Sequence, residues 1–190
     1  MNIPPSTLNM LLIAFGILVV VLLVVYLVLR KRKTAGLRKR FGSEYDRAVV
    51  THGNERKAEA KLADREKRVD KLNLRELGAT ERERFIADWV TVQARFVDHP
   101  KGAVTEADEL VTALLQARGY PLTDFDQRAA DVSVDYPHVM DNYRSAQATA
   151  VRNGKADATT EELRTAMIHY RAIFDELIQV RRPVSAQTAA

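Results

Sequence analysis

Cysteine is absent from the 190 residues, tryptophan occurs once and glycine only eight times. The missing thiols exclude disulfide frameworks, thiolate metal centres and cysteine nucleophiles, and they suit a reducing compartment. With only four histidines, a zinc site would depend on carboxylates, and no ligand-type spacing occurs. The glycines form neither a GxGxxG nor a GxxxxGKS/T loop, so no phosphate cradle is encoded, and no Gly-x-Ser-x-Gly elbow occurs. No segment alternates apolar and polar residues between hairpin turns, which excludes a sheet and predicts an all-α fold.

Charge is missing too, from the whole stretch before Arg30. Residues 10–29 are an uninterrupted apolar run with Gly16 as its one weak helix former. At about 1.5 Å of rise per residue they span roughly 30 Å, the hydrocarbon thickness of a bilayer. Leu, Val and Ile fall on every face, unlike a helix packed on a soluble core. A cleaved secretory signal is the alternative reading. It would need a basic start, a shorter apolar core and a small-residue cleavage site, and residues 1–9 hold no Lys or Arg. The run leads instead into Arg30, Lys31, Arg32 and Lys33, followed by Arg38, Lys39 and Arg40. Basic residues beside a span stay cytoplasmic. The chain is therefore expected to place residues 1–9 outside and everything after the span inside. The same seven side chains are candidate sites for anionic headgroups, each contributing about 1 kcal/mol near such a surface.

The formal net charge of +4 suggests nucleic acid, and its distribution removes the suggestion. Seven of the 29 Lys and Arg lie in residues 30–40, leaving 22 against all 25 acidic residues, a net of −3 for residues 41–190. Such a domain lacks the basic footprint that phosphate backbones require.

The soluble part divides into a charged helical lead-in over residues 41–79, a bundle over 80–182 and a tail over 183–190. A helix from Phe41 is expected to open at Gly42-Ser43-Glu44 and to stop at His52-Gly53-Asn54. The next, over about 55–72, is dominated by charge, with pairs such as Asp64–Arg68 at i+4 and a narrow stripe of Ala58, Leu62, Val69 and Leu72. Side chains such as Arg65 read as solvated and indifferent to substitution. The stripe can cover the domain or pair with a second copy; without apolar heptads, packing on the domain is favoured.

From Thr80 the pattern becomes that of a core. Thr80-Glu81-Arg82-Glu83 reads as a capping box, followed by Phe85, Trp89, Val92 and Phe96, with Ile86, Val90 and Val97 widening the apolar face. His99-Pro100-Lys101-Gly102 breaks that helix, and Thr105 is expected to cap the next, with Ala107, Leu110, Val111, Leu114 and Leu115 inward. Gly119 and Pro121 end it. A short helix through Ala130 and one starting at Pro137 follow, the latter burying Val139, Met140, Tyr143, Ala146, Ala150 and Val151. Thr159 with Glu162 caps the last, whose stripe runs from Leu163 to Ile178. Arg181 and Arg182 favour its negative end.

The acidic stretch between Asp124 and His138 lacks the central Gly and terminal Glu of a calcium loop, so its acids read as caps and surface charges. His138 and His169 have no oriented partner in the sequence, and Tyr170 reads as core with a bonded hydroxyl. No catalytic, cofactor or metal residue is assigned, and the chain is not expected to be an enzyme.

The strings Arg40-Phe41-Gly42-Ser43-Glu44-Tyr45-Asp46-Arg47, Arg95-Phe96-Val97-Asp98, Arg118-Gly119-Tyr120-Pro121, Gln127-Arg128-Ala129-Ala130-Asp131 and Ala166-Met167-Ile168-His169-Tyr170-Arg171 resemble landmarks of an uncharacterised family of small bacterial proteins. Those proteins share one N-terminal span and a helical domain, and the likeness covers about residues 38–180. It implies a bacterial plasma membrane and brings no activity, ligand or catalytic residue. Two functions fit the sequence. In the first, the cytoplasmic domain binds a protein partner and holds it at the bilayer. In the second, the span itself packs into an envelope assembly, but Ala14 and Gly16 are its only small residues and make no small-xxx-small face.

Overall fold

The computed structural model describes residues 5–179 except Ala156, with side chains from Ala14 onward. It is all-helical, with no strand among the described residues. The chain divides into two compact units, residues 1–40 and 41–190.

The first unit is one helix, α1, Pro5–Phe41, whose last residue opens the second unit. Its apolar part has a mean hydropathy of 2.4 and none of it is buried, so it is long and apolar enough to cross a membrane. Its large apolar side chains from Phe15 to Leu29 are each 44–65% exposed. The helix does not stop where the apolar run stops. Arg, Lys, Ala and Leu are good helix formers, and they carry it through the basic segment as a rigid stem.

The second unit holds α2 (Ser43–His52), α3 (Glu55–Val69), α4 (Ala79–Arg95), α5 (Pro100–Ala117), α6 (Phe125–Asp135), a 3-10 turn (Pro137–Val139), α7 (Met140–Gly154) and α8 (Thr160–Ile178). The bundle is built around α8, which packs against α7 and α5, while α4 lies against α5 and α8. Leu163, Ala166, Met167, Tyr170, Ile173, Phe174 and Leu177 all point inward from α8. Trp89 of α4 stacks on Phe174 with centroids 4.7 Å apart. The Thr159 cap forms as expected, its hydroxyl accepting from the Glu162 amide while the Glu162 carboxylate accepts from Thr159. The positions of Arg181, Arg182 and residues 183–190 lie outside the described residues.

The lead-in belongs to the same compact unit as the bundle. The α2–α3 hairpin buries Phe41, Tyr45, Ala48, Ala58, Leu62 and Val69, a cluster separate from the main core. Gly53 turns the hairpin in the left-handed conformation expected of a helix stop. α3 is thus packed against α2 and α6, and it does not stand free in solvent. The expected Asp64–Arg68 pair gives way to a stronger one, because Arg68 reaches the buried Asp131 of α6 at 2.6 Å.

Three helix starts differ from expectation, one of them α7, which begins at Met140 after the 3-10 turn Pro137–Val139 rather than at Pro137 itself. α4 begins at Ala79 rather than after Thr80: Glu81 accepts from the Gly78 amide at 3.1 Å, and glycine has no side chain to complete the reciprocal box. α5 begins at Pro100, so the expected breaker is the starter. Proline lacks only an amide that the first turn leaves unpaired anyway, and Thr105 falls inside the helix, bonded to the Lys101 carbonyl. Packing also narrows two apolar faces. Ile86, Val90 and Val97 are 44%, 58% and 83% exposed, and Val151 is 51% exposed, because each helix meets the core through a single edge.

Candidate functional site

The basic residues expected to meet headgroups all lie on α1. Successive residues turn by about 100°, so Arg30, Lys31, Arg32 and Lys33 form a collar around the axis rather than one face. Arg38, Lys39 and Arg40 sit roughly 12–15 Å further along the helix, between about two and three turns beyond Arg30. One continuous basic patch in the sequence is therefore two rings on a rod.

The buried polar groups are a second candidate, and here the structure corrects the reading of the acids as caps and surface charges. Asp124 does cap α6, accepting from the Gln127 amide. Asp131 and Asp135 are buried. Asp131 takes Arg68 from α3 and the Gln127 side chain, while Asp135 accepts from the Tyr120 hydroxyl at 2.6 Å. Burial first, and the Asp135 charge second, push the Tyr120 hydroxyl well above its usual range. Arg118, fully buried, donates to the Leu177 carbonyl at 2.8 Å and satisfies the end of α8. Glu44 of α2 is the most connected of these groups. Only 1% exposed, it accepts two bonds from Arg144 of α7 at 3.2 and 2.9 Å, with Arg47 at 3.4 Å and Arg65 of α3 at 3.7 Å. Arg65 is therefore not a solvated side chain. Burial lowers its pKa, with the Glu44 charge opposing that shift.

Asp108 with Tyr170 has the look of a tuned pair. Desolvation raises the Asp108 carboxyl above its ordinary value, and the Tyr170 hydroxyl donates to it at 2.9 Å, offsetting part of that shift. Next to it Arg128 donates to the Tyr143 hydroxyl at 3.0 Å, and burial pushes that hydroxyl to about 12. Perturbed groups of this kind mark active sites when they face a cleft. None of these four lines the two grooves along α8 described below, and the bonds run between α5, α6, α7 and α8. They act as internal ties. Tyr170 is buried with a bonded hydroxyl, in line with its expected place in the core. The histidines have ordinary partners: His169 Nδ1 lies 3.0 Å from the Asn142 side-chain oxygen, and His138 Nε2 lies 3.2 Å from Glu176. No group of three His, Asp or Glu placed to hold a metal occurs among the described residues.

Two shallow grooves flank α8. One, of about 250 Å³, runs along α7 and α8 past Thr149, Glu162 and His169. The other, of about 190 Å³, runs along α4 and α8 over Phe96 and Met167, with Arg164, Ile168 and Arg171 on one wall. Sequence reading missed this second groove, because a stripe on one helix does not show which neighbour lies beside it. The available signal was Ile168, an apolar residue set between two arginines on the outer side of α8.

Comparison with models of known families, with curated proteins and with solved structures gave no match for this chain.

Proposed function

We propose that this chain is a single-pass, membrane-tethered interaction module of a bacterial plasma membrane. In this reading α1 is an uncleaved anchor, residues 1–9 face outward, and the helical unit from Phe41 onward lies in the cytoplasm. There it binds another protein and holds it at the bilayer, without catalysing a reaction. The observation that carries the reading is the α1 surface itself: a run of apolar side chains each 44–65% exposed, ending in a collar of four basic residues. Leaving that much apolar surface in water costs about 25 cal/mol per Å², and a bilayer removes the cost. The collar opposes transfer of its own end, which sets the orientation.

The lack of native cysteine makes the topology easy to test. Single cysteines at Ser6 and, separately, at Ser185 are labelled in intact cells with a membrane-impermeant thiol reagent. Labelling at position 6 and protection at position 185 until permeabilisation are the expected results; the reverse pattern refutes the orientation. Co-purification with and without residues 1–33 then tests the module. A partner retained by the soluble portion supports it, and a partner lost with the span places the interaction in the membrane.

A further inference from the structure

We propose that the α4–α8 groove is the partner site and that its ligand is an acidic amphipathic helix of another protein. This rests on the interaction-module reading and adds the partner's chemistry to it.

On α4, Ile86, Val90 and Gln93 recur at i, i+4 and i+7, which puts them along one line of the helix, and Val97 stands in the turn just past its end. The three apolar members are 44%, 58% and 83% exposed, and Ile168 on α8 is 63% exposed. From Ile86 to Gln93 the strip is roughly 10 Å long, a length suited to two turns of a partner helix with apolar anchors at i, i+4 and i+7. The groove beside it has an apolar floor of Phe96 and Met167, and no carboxylate is among its lining residues. Isolated apolar residues on a surface need no explanation, whereas an apolar strip that leads through Gln93 into a groove does.

Charge selects the ligand. Arg164 and Arg171 stand four residues before and three after Ile168 on the same wall. Their side chains are 63% and 59% exposed, and each makes one long contact with an acid of its own helix, Glu161 at 3.6 Å and Asp175 at 3.4 Å. A guanidinium offers five N–H donors in a planar fork that fits a carboxylate, so both retain donors for a ligand. Seven residues separate them, roughly 10 Å along α8. A helix lying in the groove would therefore present Asp or Glu at two positions seven residues apart, beside its apolar stripe. A lipid surface fits less well, because the apolar floor is recessed between two helices and a bilayer needs a projecting apolar face.

The test uses the full chain in nanodiscs of neutral lipid and two fluorescent 18-residue helical peptides. Both carry the same leucine stripe, with a glutamate pair seven residues apart in one and a lysine pair in the other. The glutamate peptide should bind at least about ten-fold more tightly, since like-charge juxtaposition across an interface costs several kcal/mol. An Arg164→Glu/Arg171→Glu chain should reverse that order, and Ile168→Asp should abolish binding of both peptides. Unchanged Trp89 fluorescence and melting of each variant shows that the fold is intact. Equal binding of the two peptides, binding indifferent to the variants, binding to empty nanodiscs, or self-association of the chain in place of peptide binding each overturns the groove assignment. A partner that still co-purifies with the Arg164→Glu/Arg171→Glu chain overturns the groove alone and leaves the module standing. Absence of any partner with the native chain overturns the module.

Discussion

Glu44→Ala should unfasten the α2–α3 hairpin from the bundle. The carboxylate is buried and holds Arg144, Arg65 and Arg47 from three helices. Its removal leaves the Arg144 and Arg65 side chains, 20% and 19% exposed, as neighbouring positive charges without their counterion. Breaking a buried pair from one side costs about 3–5 kcal/mol, and the remaining exposure of both guanidiniums points to the lower end. At roughly 2–4 °C per kcal/mol for a domain of this size, a loss of about 3 kcal/mol lowers the melting midpoint by roughly 6–12 °C. Two probes separate the parts. Trp89 is the chain's one tryptophan and sits in the main core, which excludes the hairpin cluster. Far-UV circular dichroism sees both. The dichroism midpoint should fall further than the fluorescence midpoint, and the double variant Glu44→Ala/Arg144→Ala should cost less than the two single losses added. Arg95→Ala is the control, since its pair with Glu106 is 58% and 34% exposed and such pairs contribute about 0.2–1 kcal/mol. A Glu44→Ala chain that melts within that range of the native protein would refute the buried tie.

Gly119→Ala should be far more damaging than Gly53→Ala. Both glycines have positive φ, but a Cβ at residue 119 would meet the Asn73 carbonyl oxygen at 2.4 Å, while nothing lies within 4 Å at residue 53. The left-handed penalty of about 1–2 kcal/mol applies to both, so chemical denaturation should show an excess loss at 119 alone; equal losses would refute the close approach. Two carboxyls should shape the acid limb with opposite sign. The Arg75 guanidinium, then the Gly78 amide, holds Glu81 down at about 2 against an ordinary 4.5, so its contribution is present above pH 4.5 and lost as pH falls toward 2. Glu81→Gln should flatten that part of the stability curve. Burial raises Asp108 above its ordinary 3.8, so its protonated form favours the fold and the benefit is lost as pH rises through the native value; Asp108→Asn should stabilise at pH 7 and change nothing below about 3.8. Chemical denaturation across pH would refute either assignment by showing the opposite slope. A fragment 30–190 should bind acidic vesicles at low salt and release as salt rises, because surface charges are screened within about 8 Å at physiological strength. The fragment 41–190, with its net of −3, should not bind, and failure of both would reduce the basic segment to a topology signal.

The helices themselves were legible because they are local. Thr159 with Glu162, the αL glycines 53 and 119, and the 3.6-residue stripe of α8 depend on neighbours within one or two turns, and each occurs in the structure. The apolar helix and its basic end are likewise a matter of consecutive residues. Helix starts were less secure, since Pro100 is a breaker or a starter according to what lies on either side. What the sequence could not assign was partnership. Glu44 lies 100 positions from Arg144, and Arg68 lies 63 from Asp131. In a string these are surface charges; they become buried ties only when α2 and α3 fold back onto α6 and α7. The same holds in reverse for Ile86 and Val90, apolar residues that periodicity assigns to a core and that stand exposed. Periodicity tells how wide an apolar face is, whereas the number of helices packed against it decides how much of that face remains uncovered. By itself the sequence determined an all-helical chain with an apolar N-terminal helix and a basic turn. Tertiary packing alone decided which charges are internal and which apolar side chains line an open groove, because burial is a property of the assembled bundle and not of any one helix.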